Sequence, residues 1–198
     1  MTLKQPLLVI FSALITTTAF AGINASHGFY IGADAVTSDY SAVPGSAFNN
    51  QLFPINNGYF RPFAGFRFND YFAVEGSYND IEDSKSNGGN FWGPDHYRLY
   101  SYDLAGKLIA PFKNNFSLFG KAGVAYTHQD VFNQTFTNGP IMANTNTNVV
   151  QPLLGIGVNY NFTPKIAADV GFTHLFKHGS IGDINMLGMG LSYTFGGN

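Results

Sequence analysis

Residues 65–78 read Gly-Phe-Arg-Phe-Asn-Asp-Tyr-Phe-Ala-Val-Glu-Gly-Ser-Tyr, two alternating arms on either side of Asn69-Asp70. One face carries Phe66, Phe68, Phe72, Val74 and Tyr78; the other carries Gly65, Arg67, Ala73, Glu75 and Ser77. Successive side chains of a strand point to opposite sides, so alternation over both arms predicts a β-hairpin. The quality of the two faces constrains the fold further. One is bulky and uncharged; the other is small, with a single charge on each arm and the two charges opposite in sign. A hairpin with its polar face in bulk water carries a denser mixture of charges. This one suits hydrocarbon on the bulky side and a narrow polar interior on the other.

The same two-faced alternation recurs along the chain. It predicts strands at Phe29–Tyr40, from Phe60 into the first arm of the hairpin, from Phe72 to Tyr78, and at Arg98–Phe112, Phe116–Thr127, Val150–Phe162, Ile166–Phe176 and Ile184–Phe195. Phe119 interrupts the pattern by falling on the small face. Long polar segments at Ser41–Asn57, Asn79–His96 and His128–Asn148, and a shorter one at Lys177–Asp183, alternate with tight turns at Asn69-Asp70, Pro111–Asn115 and Asn161–Lys165. With eight strands, every short turn falls at one end and every long loop at the other. The expected fold is all-β: an eight-stranded antiparallel transmembrane up-and-down barrel with short periplasmic turns and long extracellular loops.

Composition decides between this and a soluble barrel. Charged residues are 11% of the chain, against about 25% in soluble domains. A soluble barrel would crowd its 20 Phe and 11 Tyr inward, into a space that eight strands close until side chains just fill it. The aromatics instead gather in two belts, one near the turns (Phe29, Phe68, Phe72, Phe112, Phe116, Phe162, Phe195) and one toward the loops (Phe60, Tyr78, Tyr100, Tyr126, Phe172). A net charge of −2 gives no reason to expect nucleic acid, and with no Cys, thiol chemistry and disulfides are excluded. Residues 1–21 combine Lys4, the apolar run Leu7–Ile15 and Ala19-Phe20-Ala21, the pattern of a signal peptide. The mature domain is expected to be 22–198, in the outer membrane of a Gram-negative bacterium.

Three stretches carry a resemblance: residues 65–78, Gly-Val-Asn-Tyr-Asn-Phe-Thr-Pro-Lys-Ile-Ala at 157–167, and Asn-Met-Leu-Gly-Met-Gly-Leu-Ser-Tyr-Thr-Phe-Gly at 185–196. They resemble the outer membrane protein A-like family of small β-barrels, and the likeness covers roughly the whole mature chain. The periplasmic peptidoglycan-binding domain of larger members has no counterpart. The resemblance implies an interior acid on the third strand facing bases on its neighbours, matched by Glu75, Lys107 and Lys121. It also implies that Asn159 stands where an acid is typical and Asp169 where an arginine is typical. The last strand, with Tyr193 and Phe195, looks like the family's assembly signal. Periplasmic chaperones and the barrel-assembly machinery are then the implied partners, alongside outer-membrane lipids.

The alternation sends Asp34, Arg67, Glu75, Asp103, Lys107, Lys121 and Asp169 inward. Near-balanced interior charge is what a packed, plugged lumen requires, because an unpaired buried ion costs several kcal/mol. His178-Gly179-Ser180 with Asp183 loosely resembles the His-x-Ser of lipid A deacylases, but three loop residues do not make a catalytic constellation. His174 and His178 stand four apart without a helix to align them, so neither a metal nor a cofactor is expected. The expected role is non-enzymatic: structure and surface display, with a narrow porin-like channel as the alternative. The loop aromatics Phe48, Phe53, Phe91, Trp92 and Phe132 suit a host or surface ligand.

Overall fold

The computed structural model describes residues 26–40, 58–85, 96–112, 114–132 and 145–196. The signal segment, most of the predicted loop residues and the loop aromatics Phe48, Phe53, Phe91 and Trp92 lie outside them. Eight strands form one closed antiparallel barrel in sequence order: β1 (Gly28–Tyr40), β2 (Gly58–Arg67), β3 (Phe72–Lys85), β4 (His96–Pro111), β5 (Phe116–Phe132), β6 (Thr145–Asn161), β7 (Ile166–Leu175) and β8 (Ile184–Thr194). β8 closes onto β1 over Tyr30↔Thr194 to Tyr40↔Ile184, so each described strand has a partner on both sides.

Each tight turn has a local cause. Asn69 Oδ1 accepts the backbone N–H of Tyr71 at 2.9 Å and of Phe72 at 2.8 Å, folding β2 back on β3. Asn114 and Asn115 take positive φ angles of 63° and 69° between β4 and β5, a conformation asparagine tolerates well. Thr163 Oγ1 accepts the N–H of Ile166 at 2.9 Å between β6 and β7.

The outer face is the bulky one along the whole circuit. Ile31, Leu104, Leu108, Val124, Leu154, Ile156, Val170, Met189 and Leu191 are all exposed, as a hydrocarbon-facing wall requires. Toward the turns, Phe29, Phe66, Phe68 and Phe72 form a continuous chain of ring contacts 4.9–5.5 Å apart. Toward the loops, Tyr78 and Tyr102 meet at 5.2 Å, with Tyr100 against both. Pro62 and Pro152 are exposed on this face, at places where a ladder ends. The β2–β3 pairing stops at Phe63↔Ser77, one residue short of Pro62. The carbonyl of Pro152 accepts from Phe176, just past the end of β7. A missing N–H is tolerated where the ladder on one side of the strand stops.

The strands correct the predicted loop bounds. Asn79–Lys85, His128–Phe132 and Thr145–Asn148, read as loop, belong to β3, β5 and β6. As a result β5 and β6 are 17 residues each, against 10 for β2 and β7. Cross-strand pairs explain the extension. His128 lies opposite Asn148 and Asp130 opposite Asn146. His128 Nδ1 is bonded to Asn148 Oδ1, Nε2 lies 2.9 Å from Asp130, and Asn146 donates to Asp130 at 2.8 Å. Polar residues that look like loop when counted singly knit a ladder when paired.

Candidate functional site: a lumen in two storeys

The interior of the lower barrel is polar and aromatic. Lys107 and Lys121 lie directly opposite one another on β4 and β5. Glu75 reaches between them from β3, with Oε1 bonded to Lys121 and Oε2 3.4 Å from Lys107; Tyr30 donates to Oε2 at 3.0 Å. Glu75 is 5% exposed, so its charge needs these partners. Phe119 lies beneath the two ammonium groups, its ring centroid 4.2 Å from Lys107 Nζ and 5.2 Å from Lys121 Nζ. Cation–ring contacts of this kind offset part of the cost of burying the lysines. The ring has room because Gly157 and Gly171 line its socket. A Cβ on either would press into the Phe119 ring. The residue that breaks the alternation therefore completes the charge cluster.

Asp34 forms the second ion pair. Its partner is Arg61, through Nη2 and through Nε at 2.8 Å. Arg61 is absent from the sequence-derived set, although it keeps phase with Phe63, Gly65 and Arg67; counting back from Arg67 by twos reaches it. Arg67 itself requires a correction. It is inward-facing, but its guanidinium donates to the backbone carbonyls of Asn69 and Asp70 at 3.2 Å each, closing its own turn rather than meeting Glu75. The strand ends there, so the turn carbonyls are nearer than any lumen acid. Asp103 is held by neutral donors, accepting from Asn79 at 2.7 Å and from Ser101 at 2.8 Å. Asp169 is buried opposite Asn159.

The upper storey departs from the expected polar lumen. Val36, Ile81, Leu99, Ala105, Ala125, Leu153, Leu175, Ile181, Ile184 and Met186 form one buried apolar cluster, with Tyr59, Val131 and Val149 packed against it. Most belong to strand ends that the alternation did not reach or phase. Thr127 and Gln151 are buried beside them, bonded to each other at 2.8 Å. On the outside of the same strands stand His128, Asp130, Asn146 and Asn148. The polarity thus shifts along the axis: below, the wall is apolar outside and charged inside; above, the apolar cluster packs inside with buried Ser38, Asn79, Ser101, Thr127 and Gln151, while β5 and β6 turn polar residues outward.

The residues of the His-x-Ser motif go elsewhere. Asp183 accepts the backbone N–H of Lys177 at 2.8 Å and lies 3.6 Å from His174, while His178 pairs through its backbone with Ile181. Among the described residues no group of His, Asp and Glu is arranged to hold a metal ion. Tyr193 and Phe195 face outward with rings 5.0 Å apart, and Phe195 N–H bonds to Phe29 O at 2.7 Å.

An outer wall of exposed apolar chains, a closed circuit of eight strands and a match to the OmpA-like transmembrane domain over residues 24–198 agree. The chain belongs to that family. It is a barrel of the bacterial outer membrane. A curated relative, an uncharacterized protein of Coxiella burnetii, is 31% identical over 163 residues, 66% of this chain and 65% of the relative. The OmpA-like barrel therefore aligns with somewhat less than two thirds of that relative's length. Among solved structures, Neisserial surface protein A is similar with a TM-score of 0.57 and 22% identity, covering 87% of this chain and 100% of that one. Ail of Yersinia pestis gives 0.56 and 14%, with 87% and 100% covered. OprG of Pseudomonas aeruginosa gives 0.56 and 12%, with 88% and 99% covered. At these identities the likeness is one of fold.

Proposed function

We propose that this barrel is a non-conducting membrane anchor that carries a rigid extracellular extension and the surface loops joined to it. The observation behind this reading is the two-storey lumen. A path through the barrel would have to pass the Glu75–Lys107–Lys121–Phe119 layer and then a packed apolar core. Glu75 and the Phe119 ring hold the two lysines of the first layer, so opening it costs free energy, and an ion entering the second would exchange its hydration for the few polar groups buried among packed apolar side chains. Purified barrel in planar bilayers is expected to give no unitary current steps. Reproducible steps would instead support the narrow-channel alternative.

Binding through the loops is the second reading, favoured by the projection of β3–β6 beyond the outer aromatic belt. The fold neighbour Ail is named for attachment and invasion and has been solved with the heparin analogue sucrose octasulfate. Cell binding by barrels with residues 86–95 or 133–144 shortened would test adhesion here; unchanged binding removes those loops from the role. Tyr193 and Phe195, exposed on the closing strand, are proposed as the surface that the assembly machinery reads. Phe195→Ala is expected to slow insertion in an assisted refolding assay while leaving the final fold intact.

A further inference from the structure

The periplasmic end of the lumen holds a partly open cavity of about 40 Å³ under the β6–β7 turn, room on the order of three water molecules. Its wall is one-sided in charge. Arg67, Lys107 and Lys165 line it, and none of the described residues lining it is an Asp or Glu; the other polar lining is hydroxyl and carboxamide, as at Ser117 and Asn159.

Two of the cations have donor capacity left over. Lys107 carries three N–H donors. Its contact with Glu75 is long, at 3.4 Å, and that carboxylate already accepts from Lys121 and Tyr30. Arg67 carries five donors, and its two bonds to turn carbonyls use Nε and Nη2. Among the described residues the charges around this end are four cations (Arg67, Lys107, Lys121, Lys165) and three carboxylates (Asp70, Glu75, Asp169), and 4 − 3 leaves one positive charge. The Asp70 carboxylate lies 3.1 Å from His27 Nε2, and its backbone carbonyl accepts from Arg67.

We propose that this vestibule binds one small monovalent carboxylate, held between Lys107 and Arg67 and completed by neutral donors such as Ser117 and Asn159. Hydrogen bonds from charged donors are about twice as strong as neutral ones. One negative charge completes the local balance, and a planar carboxylate matches both the volume and the fork of a guanidinium. The site ends at Phe119 and does not depend on whether the barrel conducts. The carboxylate comes either from a small free acid or from the C-terminus of a periplasmic polypeptide.

The test is an amide NMR titration of the folded barrel in nanodiscs with sodium formate replacing sodium gluconate at constant ionic strength. Wild type is expected to show saturable shifts at Ser117, Asn159 and Ser192. Arg67→Gln should weaken the affinity about tenfold, the factor equivalent to 1.4 kcal/mol, and Lys165→Ala should weaken it less. Lys165 is exposed on a turn, so that variant keeps the test decisive if Arg67→Gln fails to fold. Shifts that do not saturate, or affinity unchanged in the folded variants, would mean an adventitious ion only and overturn the proposal. A short peptide with a free C-terminus, set against its amidated twin, assigns the source; formate must bind in either case.

Discussion

Lys107 and Lys121 face one another across the β4–β5 ladder, where like charges repel most strongly. Glu75 makes the pairing tolerable. Glu75→Ala should therefore cost more than the loss of one ion pair, about 3–5 kcal/mol, because it leaves two facing cations buried; urea unfolding in detergent would measure it. Arg61→Ala should cost a similar amount by stranding Asp34, whereas Arg67→Gln should cost clearly less, since its guanidinium serves a turn. A loss for Arg67→Gln as large as that for Arg61→Ala would refute this division of roles. Gly157→Ala should destabilise by about 1–3 kcal/mol, because its Cβ meets the Phe119 ring and the socket is overpacked. Much of this was legible at the level of phase: alternation alone puts Asp34, Glu75, Asp103, Lys107, Lys121 and Asp169 inside. Phase does not report height along the barrel. Height separates Arg67 from Glu75, and the register of the β1–β2 ladder sets Arg61 directly opposite Asp34.

At the scale of the element, β3–β6 stand out. Their upper ends have the composition of loop, because Asn, Asp, His and Thr carry little strand signal when counted one at a time. The partners that hold them lie on neighbouring strands, beyond the reach of any local window. Amide exchange would test the extension. Gln129 and Thr147, paired across β5–β6, are expected to exchange far more slowly than surface loops. Exchange at loop rates would mean that the ladder does not persist there. Leu99→Ala, at 1% exposure in the upper cluster, should cost about 2–5 kcal/mol and loosen these same amides first. The hairpin at 65–78 was the opposite case: turn, faces and charges all sit within one short window, and its strand phase was legible throughout.

At the scale of the whole molecule, the two storeys act in series. Disrupting one is not expected to open the barrel. Glu75→Gln should leave planar bilayers silent, and current should arise only when the upper core is also thinned, as in a Glu75→Gln, Leu99→Ala, Met186→Ala variant. Conductance in Glu75→Gln alone would show that the charged layer is the only barrier. The shift of polarity also governs how the protein floats. A barrel with uniform faces could slide along the membrane normal at modest cost, whereas here a small rise lifts Val150 and Tyr126 toward water and a small descent draws His128 and Asp130 toward hydrocarbon. Immersion depth is thereby written into the side chains, most strongly on the side of the circuit where the long strands β3–β6 stand.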